Sequence, residues 1–273
     1  MAGLKLGLLL ARATLVLMAA LVLLPLLWTL LNAFKRNVDL LTPVPRLIFA
    51  PTLDNIGYIL GRSSVFEALV NSVVICTVAV IIGLVLGLPA AYAVARHRNR
   101  WTREVQFFVL SLRFMPPVAV AIPLMVIWLN LGLYDTRTSM IAAYALLTIS
   151  ITIWLAVPAF ERVPREVEEA ARVDGYGPYA VFFRVALPVA ARLLAGALAF
   201  SFVLVWNEFL LALMLTTSNA KTLPIVASEM SQLGMNVPWG ILNAAVVLLS
   251  LPPLLLLGIL GGFLNTMLAP KSR

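Results

Sequence analysis

One cysteine, one histidine and twelve carboxylates in 273 residues leave this chain with little of the side-chain chemistry that metal proteins and soluble enzymes use. Cys76 has no second thiol for an internal disulfide, and inside its apolar run it is expected to be an inert buried thiol. His97 falls in an arginine-rich loop, where a solvated imidazole is expected rather than a catalytic one. A single cysteine and a single histidine supply no metal-ligand cluster, and a Gly-x-x-x-x-Gly-Lys phosphate cradle is missing. No catalytic residue, no metal site and no cofactor bound by the chain itself are therefore expected. Charge is also scarce. Only 12% of residues are charged and 62% are hydrophobic, with a mean hydropathy of +1.00, against about 25% charged in ordinary soluble domains. Too little polar surface exists to coat a globule, so a multi-span membrane protein is expected.

What is present is a set of long apolar runs. A helix needs about 20 mostly apolar residues to cross the hydrocarbon core. Six stretches qualify, at about residues 13–33, 68–94, 105–131, 139–160, 193–215 and 240–268. They predict an all-α integral membrane fold in a single domain, residues 1–273. The first run, Ala13 to Leu31, is too long for a typical signal-peptide core and reads as a retained span. Prolines fall inside several runs: Pro25, Pro89, Pro116 with Pro117, Pro123, and Pro252 with Pro253. Each frees a backbone carbonyl that must find another partner in the bundle or in a wet cavity.

The net charge of +8 does not mark a nucleic-acid surface, because the basic residues sit in short loops between apolar runs. Thirteen lysines and arginines fall on the side shared by both termini and the loops after spans two and four. Six fall on the opposite side, and Arg113 lies within a span. The positive-inside rule places both termini in the cytoplasm. Two outer loops, residues 34–67 and about 216–239, are long enough either to meet an extracytoplasmic partner or simply to connect spans.

Residues 163–188 form a charged, helix-competent island on the inner side. Pro164 suits the first helical position. Glu166, Glu168 and Glu169 occupy the early turns and Arg172 the last, as the helix dipole favours. Val163, Val167, Ala170 and Ala171 predict one thin apolar stripe. Asp174-Gly175 ends the helix, and Gly177-Pro178 starts a second one whose Tyr179, Phe182, Phe183 and Ala186 predict an aromatic face. Two readings of this elbow stay open on the residues alone. It lies on an anionic leaflet through its arginines, or a soluble partner grips it; three glutamates weigh against the first.

Glu169-Ala170-Ala171, Asp174-Gly175, Phe182 and Val185-Ala186-Leu187-Pro188 together resemble the EAA loop of ABC importer permeases, with no gap in the spacing. The resemblance extends over most of the chain. Thr52-Leu53-Asp54-Asn55, Asn71-Ser72, Ala91-Tyr92-Ala93 with Arg96, Met115-Pro116, Pro123-Leu124, Gly132-Leu133-Tyr134-Asp135-Thr136, Ile153-Trp154-Leu155 and Trp206-Asn207-Glu208-Phe209 are similar to segments of carbohydrate-uptake permeases. The last narrows it to the smaller, MalG-like subunit of maltose-type transporters.

That resemblance implies a type I importer permease fold. It implies a second, MalF-like permease, a homodimeric ABC ATPase that carries ATP and Mg, and an extracytoplasmic sugar-binding protein. It implies a bacterial or archaeal cytoplasmic membrane as the location. The elbow would be the coupling helix, meeting the ATPase through Glu169, Ala170, Ala171, Asp174 and Gly175, with Pro188 closing the motif. A di- or oligosaccharide is the implied cargo. Candidate substrate-path residues are Asn207 and Glu208, with Trp206 and Phe209 supplying aromatic surface, and Asn71, Arg113, Asn130 and Asn243 as further polar groups. For Glu208 two alternatives stand beside that role: hydration near the outer end, or pairing with another span. Asn71, Asn130 and Asn243 are equally read as interhelical hydrogen bonders. The chain end, Leu264 to Arg273, departs from the glycine-rich basic tail of many relatives, so tail contact with the ATPases is not expected. Glycerol phosphates, polyamines or amino acids are alternative cargoes. A secondary transporter predicts inverted repeats or several intramembrane charges, and neither is visible.

Overall fold

The computed structural model describes residues 2–97, 99–111, 114–230 and 238–268, which form helices joined by turns and loops, with no strand among them. Five helices are long and apolar enough to cross a membrane. These are α1 (Ala2–Ala33), α4 (Ser63–Arg96), α7 (Arg137–Glu161), α10 (Leu187–Trp206, continuing from Pro178) and α13 (Trp239–Leu268). Between them lie α2 (Asn37–Leu40), α3 (Asp54–Leu60), α5 (Arg100–Ser111), α6 (Pro117–Asn130), α8 (Arg165–Val173), α9 (Pro178–Val181), α11 (Leu210–Leu215) and α12 (Leu223–Met230).

Four of the six expected spans lie within single helices, α1, α4, α7 and α13. The other two do not. The run at 105–131 is divided into α5 and α6 around Met115-Pro116-Pro117. Pro116 is extended, with φ −56° and ψ 126°, and Pro117 opens α6 at a position that needs no N–H. At 1.5 Å per residue, the 14 residues of α6 reach about 21 Å, short of a full crossing. The run at 193–215 is broken at Asn207–Phe209, between α10 and α11.

The chain folds as two compact units. The first contains Met1–Phe66 and Val226–Leu251. Its α1 is apolar all round and exposed along its span, as Leu15, Val16 and Leu21 illustrate; such a surface is stable only against hydrocarbon or another protein. The turn after α1 is fixed by Asn55. Its amide nitrogen donates to the carbonyls of Ala33 at 2.9 Å and Lys35 at 2.8 Å, which the helix end leaves without partners. Gly240 sits against this amide so closely that a Cβ there would lie 2.6 Å from it. The buried Lys35 ammonium lies over Trp28, 4.5 Å from the ring centroid, and over Phe49 at 5.3 Å.

The second unit contains Glu67–Ile225 and Pro252–Arg273. Its centre is α7, the most enclosed of the long helices. Gly83 and Gly87, one turn apart on α4, let its backbone approach Thr148 and Thr152 of α7. Thr148 Oγ1 donates across this contact to the Ala79 carbonyl at 2.7 Å. Toward the elbow, small residues of α4, α7, α10 and the turn of helix before it (Ala91, Ala95, Ala156, Ala190 and Ala186) close around Phe160 and Phe182.

Candidate functional site

The elbow forms as the sequence predicts, with one change of face. Pro164 is the extended residue before α8 rather than its first helical one. At the other end Gly175 takes φ +88°, and the amides of Gly175 and Tyr176 return to the carbonyls of Arg172 and Ala171, each at 3.0 Å. That is the glycine-terminated helix end that Asp174-Gly175 predicts. Pro178 then opens α9, and the chain passes through a π-helical stretch, Phe182–Ala186, into α10. The expected stripe of Val163, Val167, Ala170 and Ala171 does not pack as one face. Val163 and Ala171 are buried, while Val167 and Ala170 are exposed. The aromatic face divides likewise: Phe182 and Ala186 are buried, Tyr179 and Phe183 exposed.

Glu168 decides which side of α8 faces the bundle. It is 1% exposed. Its carboxylate accepts from Arg96 Nε at 2.9 and 3.1 Å, from Arg96 Nη2 at 2.5 Å and from the Tyr92 hydroxyl at 2.7 Å. Arg172 adds a longer ion pair at 3.6 Å. Arg96 Nη2 also donates to the Val163 carbonyl at 3.2 Å, tying the α7–α8 joint to the end of α4. The Tyr92 ring meets Phe160 at 5.4 Å and Phe182 at 5.1 Å between centroids. With Glu168 turned inward, Glu169, Ala170, Asp174 and Gly175 are turned outward and Pro188 is also exposed. Of the expected contact residues, only Ala171 is enclosed.

The Trp206–Phe209 segment ends a span rather than continuing one. Glu208 accepts from the backbone amides of Leu211, at 3.1 Å, and Ala212, at 3.3 Å, so its carboxylate caps α11. The Tyr144 hydroxyl of α7 donates to the same carboxylate at 3.3 Å. Glu208 also borders an open, apolar pocket of about 280 Å³ lined by Val109, Met115, Leu124, Leu147 and Leu211. Asn207 is exposed and donates back to the Val203 carbonyl at 2.8 Å. Trp206 is buried and stacked on Phe202, away from that pocket's lining. Asn243 bonds within its own helix, to Trp239, and Asn130 is exposed. Arg113 lies outside the described residues.

Asn71 is held at the end of the bundle opposite the elbow. Its amide donates to the carbonyls of Asn219 and Lys221, each at 3.0 Å, and its oxygen accepts from Arg137 Nε at 2.7 Å. Both amide donors go to the loop after α11, and the bond from Arg137 joins α4 to α7, a contact of the interhelical kind. Beside it Asp135, in the left-handed region at φ 57°, collects the loop after α11. Its carboxylate accepts from the amides of Thr217, Ser218, Asn219 and Ala220 at 2.9 to 3.2 Å, and from the Thr217 hydroxyl at 3.0 Å. Burial by itself raises the Asp135 carboxyl, but the donors from Asn219, Thr217 and Ala220 outweigh it and hold the group below the usual carboxylate range.

Residues 83–273 match the family model described as "Binding-protein-dependent transport system inner membrane component". The chain belongs to this family. It is an integral inner-membrane protein and a permease component of an ABC transporter. The chain is 30% identical over 248 residues to the "Diacetylchitobiose uptake system permease protein NgcG" of Streptomyces coelicolor, covering 90% of this chain and 82% of that one. It is 28% identical over 240 residues to the "Trehalose/maltose transport system permease protein MalG" of Thermococcus litoralis, covering 87% and 86%. Its fold matches a crystal structure of a bacterial ABC transporter involved in import of the acidic polysaccharide alginate, with TM-score 0.75, 19% identity, and 95% and 96% coverage.

Two features of this permease escaped the sequence reading of its site. Glu168 carries no mark that separates it from its neighbours Glu166 and Glu169; only the partners Tyr92 and Arg96, more than seventy residues away, single it out. Asp135 was legible only as part of a resembling string. The available signal was the run Thr216-Thr217-Ser218-Asn219, rich in small donors.

Proposed function

We propose that this permease carries a sugar, a di- or oligosaccharide, into the cytoplasm. It would work beside a second, MalF-like permease, above a homodimeric ABC ATPase that holds ATP and Mg, and receive cargo from an extracytoplasmic sugar-binding protein. Both termini and the elbow face the cytoplasm, where the lysine and arginine bias puts them. The observation that carries the coupling role is the geometry of α8. This nine-residue helix is fastened on one side by a buried carboxylate and leaves Glu169, Ala170, Asp174 and Gly175 open on the other.

In operation, ATP binding draws the two ATPases together, and each carries an elbow seated in its cleft. The elbow displacement turns the spans from inward- to outward-facing as rigid elements. The chain's own residues then bind and guide cargo without making or breaking covalent bonds. Glu208 and Asn207, at the broken fifth span, are its polar groups for that path. Trp206 and Asn71 support the path through packing and hydrogen bonding. The names of the two relatives above, both concerned with glycosides, support a carbohydrate cargo.

The test is ATP-driven uptake by the four-component transporter in proteoliposomes, after its binding protein has been titrated against disaccharides by calorimetry. Micromolar sugar binding followed by uptake that needs ATP supports the reading. A binding protein that takes glycerol phosphate, a polyamine or an amino acid and no sugar refutes the cargo assignment.

A further inference from the structure

A nine-residue helix with two buried side chains, Glu168 and Ala171, has little apolar surface with which to hold its place under load. Along the chain α8 is joined only to its neighbours, at Arg162–Pro164 and at Asp174–Gly177. The attachment that reaches a distant span is polar. Glu168 meets Arg96 and Tyr92, both in the last turns of α4 and 72 and 76 residues earlier. The same guanidinium holds the Val163 carbonyl at the α7–α8 joint, and the Tyr92 ring meets Phe160 of α7 and Phe182 of the π-helical stretch. Four pieces of chain therefore converge on one ion pair. Buried ion pairs contribute little net stability compared with apolar packing, but they fix register. Arg forks are suited to the second task because they are planar and bidentate.

We propose that the Glu168–Arg96–Tyr92 clamp is the mechanical link that makes α4 follow the elbow, so that Glu168 is a positioning residue for transport. This rests on the coupling role assigned to α8 above. The clamp touches neither cargo nor ATPase. Its task is to keep α8 and the end of α4 in one rigid body while the outward face of α8 is pushed. α4 is in turn seated on α7 through Gly83 and Gly87, so a displacement entering at Arg96 reaches the core of the second unit.

The experiment uses the complete reconstituted transporter and reads ATP hydrolysed per sugar imported. Glu168→Gln keeps the size and one hydrogen bond but removes the charge. The expected result is a complex with normal subunit stoichiometry that hydrolyses ATP and needs about tenfold more of it per sugar imported. Tyr92→Phe keeps the ring contacts and removes one hydrogen bond, and raises the same ratio about threefold; it decides the matter if Glu168→Gln does not assemble. Spin labels at Val173→Cys on α8 and Ala93→Cys on α4, both exposed, give a cargo-independent reading. With ATP and vanadate their separation stays fixed in the otherwise unaltered protein and broadens in Glu168→Gln. Uptake that falls only in proportion to hydrolysis, or label distances that move alike in both proteins, overturns the clamp. Label distances that stay fixed in the otherwise unaltered protein and broaden in Glu168→Gln, in a transporter that hydrolyses ATP yet imports no sugar, refute the cargo reading and leave the clamp standing.

Discussion

Adding one methyl group at Gly83 tests whether α4 and α7 are packed as closely as the second unit requires. A Cβ at this position would lie 2.5 Å from Thr148 Oγ1, 2.6 Å from its Cβ and 3.0 Å from its backbone carbon. The first atom could rotate away, but the others belong to the backbone and its first side-chain carbon, so the helices must part. Rotation also breaks the bond from Thr148 to Ala79. Overpacking costs about 1–3 kcal/mol and the lost hydrogen bond about 1 kcal/mol. The better helix propensity of alanine returns about 0.5–1 kcal/mol. Gly83→Ala is thus expected to destabilise the subunit by about 2 kcal/mol, lowering its melting point by about 5 °C. Gly196→Ala on α10, where a Cβ meets nothing within 4 Å, is the matched control and is expected to be neutral or slightly stabilising. The assay is thermal unfolding of the purified subunit in detergent, followed by tryptophan fluorescence. Equal melting points for the two variants would refute the close-approach argument.

Three further outcomes follow from the geometry. Gly175→Ala meets no neighbour, yet its φ of +88° costs an L-residue about 1–2 kcal/mol; ATPase binding to the permease, measured by titration in nanodiscs, should weaken about tenfold. Asn71→Ala removes hydrogen bonds to two backbone carbonyls and one from the Arg137 guanidinium, and should destabilise the subunit by about 1–3 kcal/mol in the same melting assay. Asp135 has a carboxyl held lower in the folded than in the unfolded chain, so its contribution is complete above the ordinary carboxylate range and is lost as pH falls through the folded value. The melting-point gap between wild type and Asp135→Asn should therefore be widest near about pH 6 and narrow toward about pH 3; a gap independent of pH would contradict the assignment.

Hydropathy read the spans well where one helix carries the whole run, as in α4 and α7, because burial in hydrocarbon needs only length and apolarity. It overran at 105–131 and 193–215 because hydropathy is blind to backbone continuity. Pro116 and Pro117 remove N–H donors, and Glu208 spends its carboxylate on the first amides of α11, so both runs divide while staying apolar. The elbow was legible in its boundaries, since Pro164, Gly175 and Pro178 act through local backbone preferences. Its facing was not. A stripe of valine and alanine competes with a glutamate that is buried only because Arg96 and Tyr92 come to meet it, and that meeting is a long-range event. For the same reason the sequence leaves Asn71 open between a path residue and an interhelical hydrogen bonder; its bonds to Asn219, Lys221 and Arg137 depend on residues far along the chain.

The central claim is that the outward face of α8 receives the ATPase. Ala170 is exposed on that face and carries no hydrogen-bonding side chain, so Ala170→Cys reports on the contact with little change to it. In the assembled transporter a short reagent with one thiol-reactive and one amine-reactive end should join Ala170→Cys to the ATPase subunit, and ATP-driven uptake should stop once the link forms. Free labelling of Ala170→Cys in the full complex, with no cross-link to the ATPase and no loss of uptake, would contradict the account.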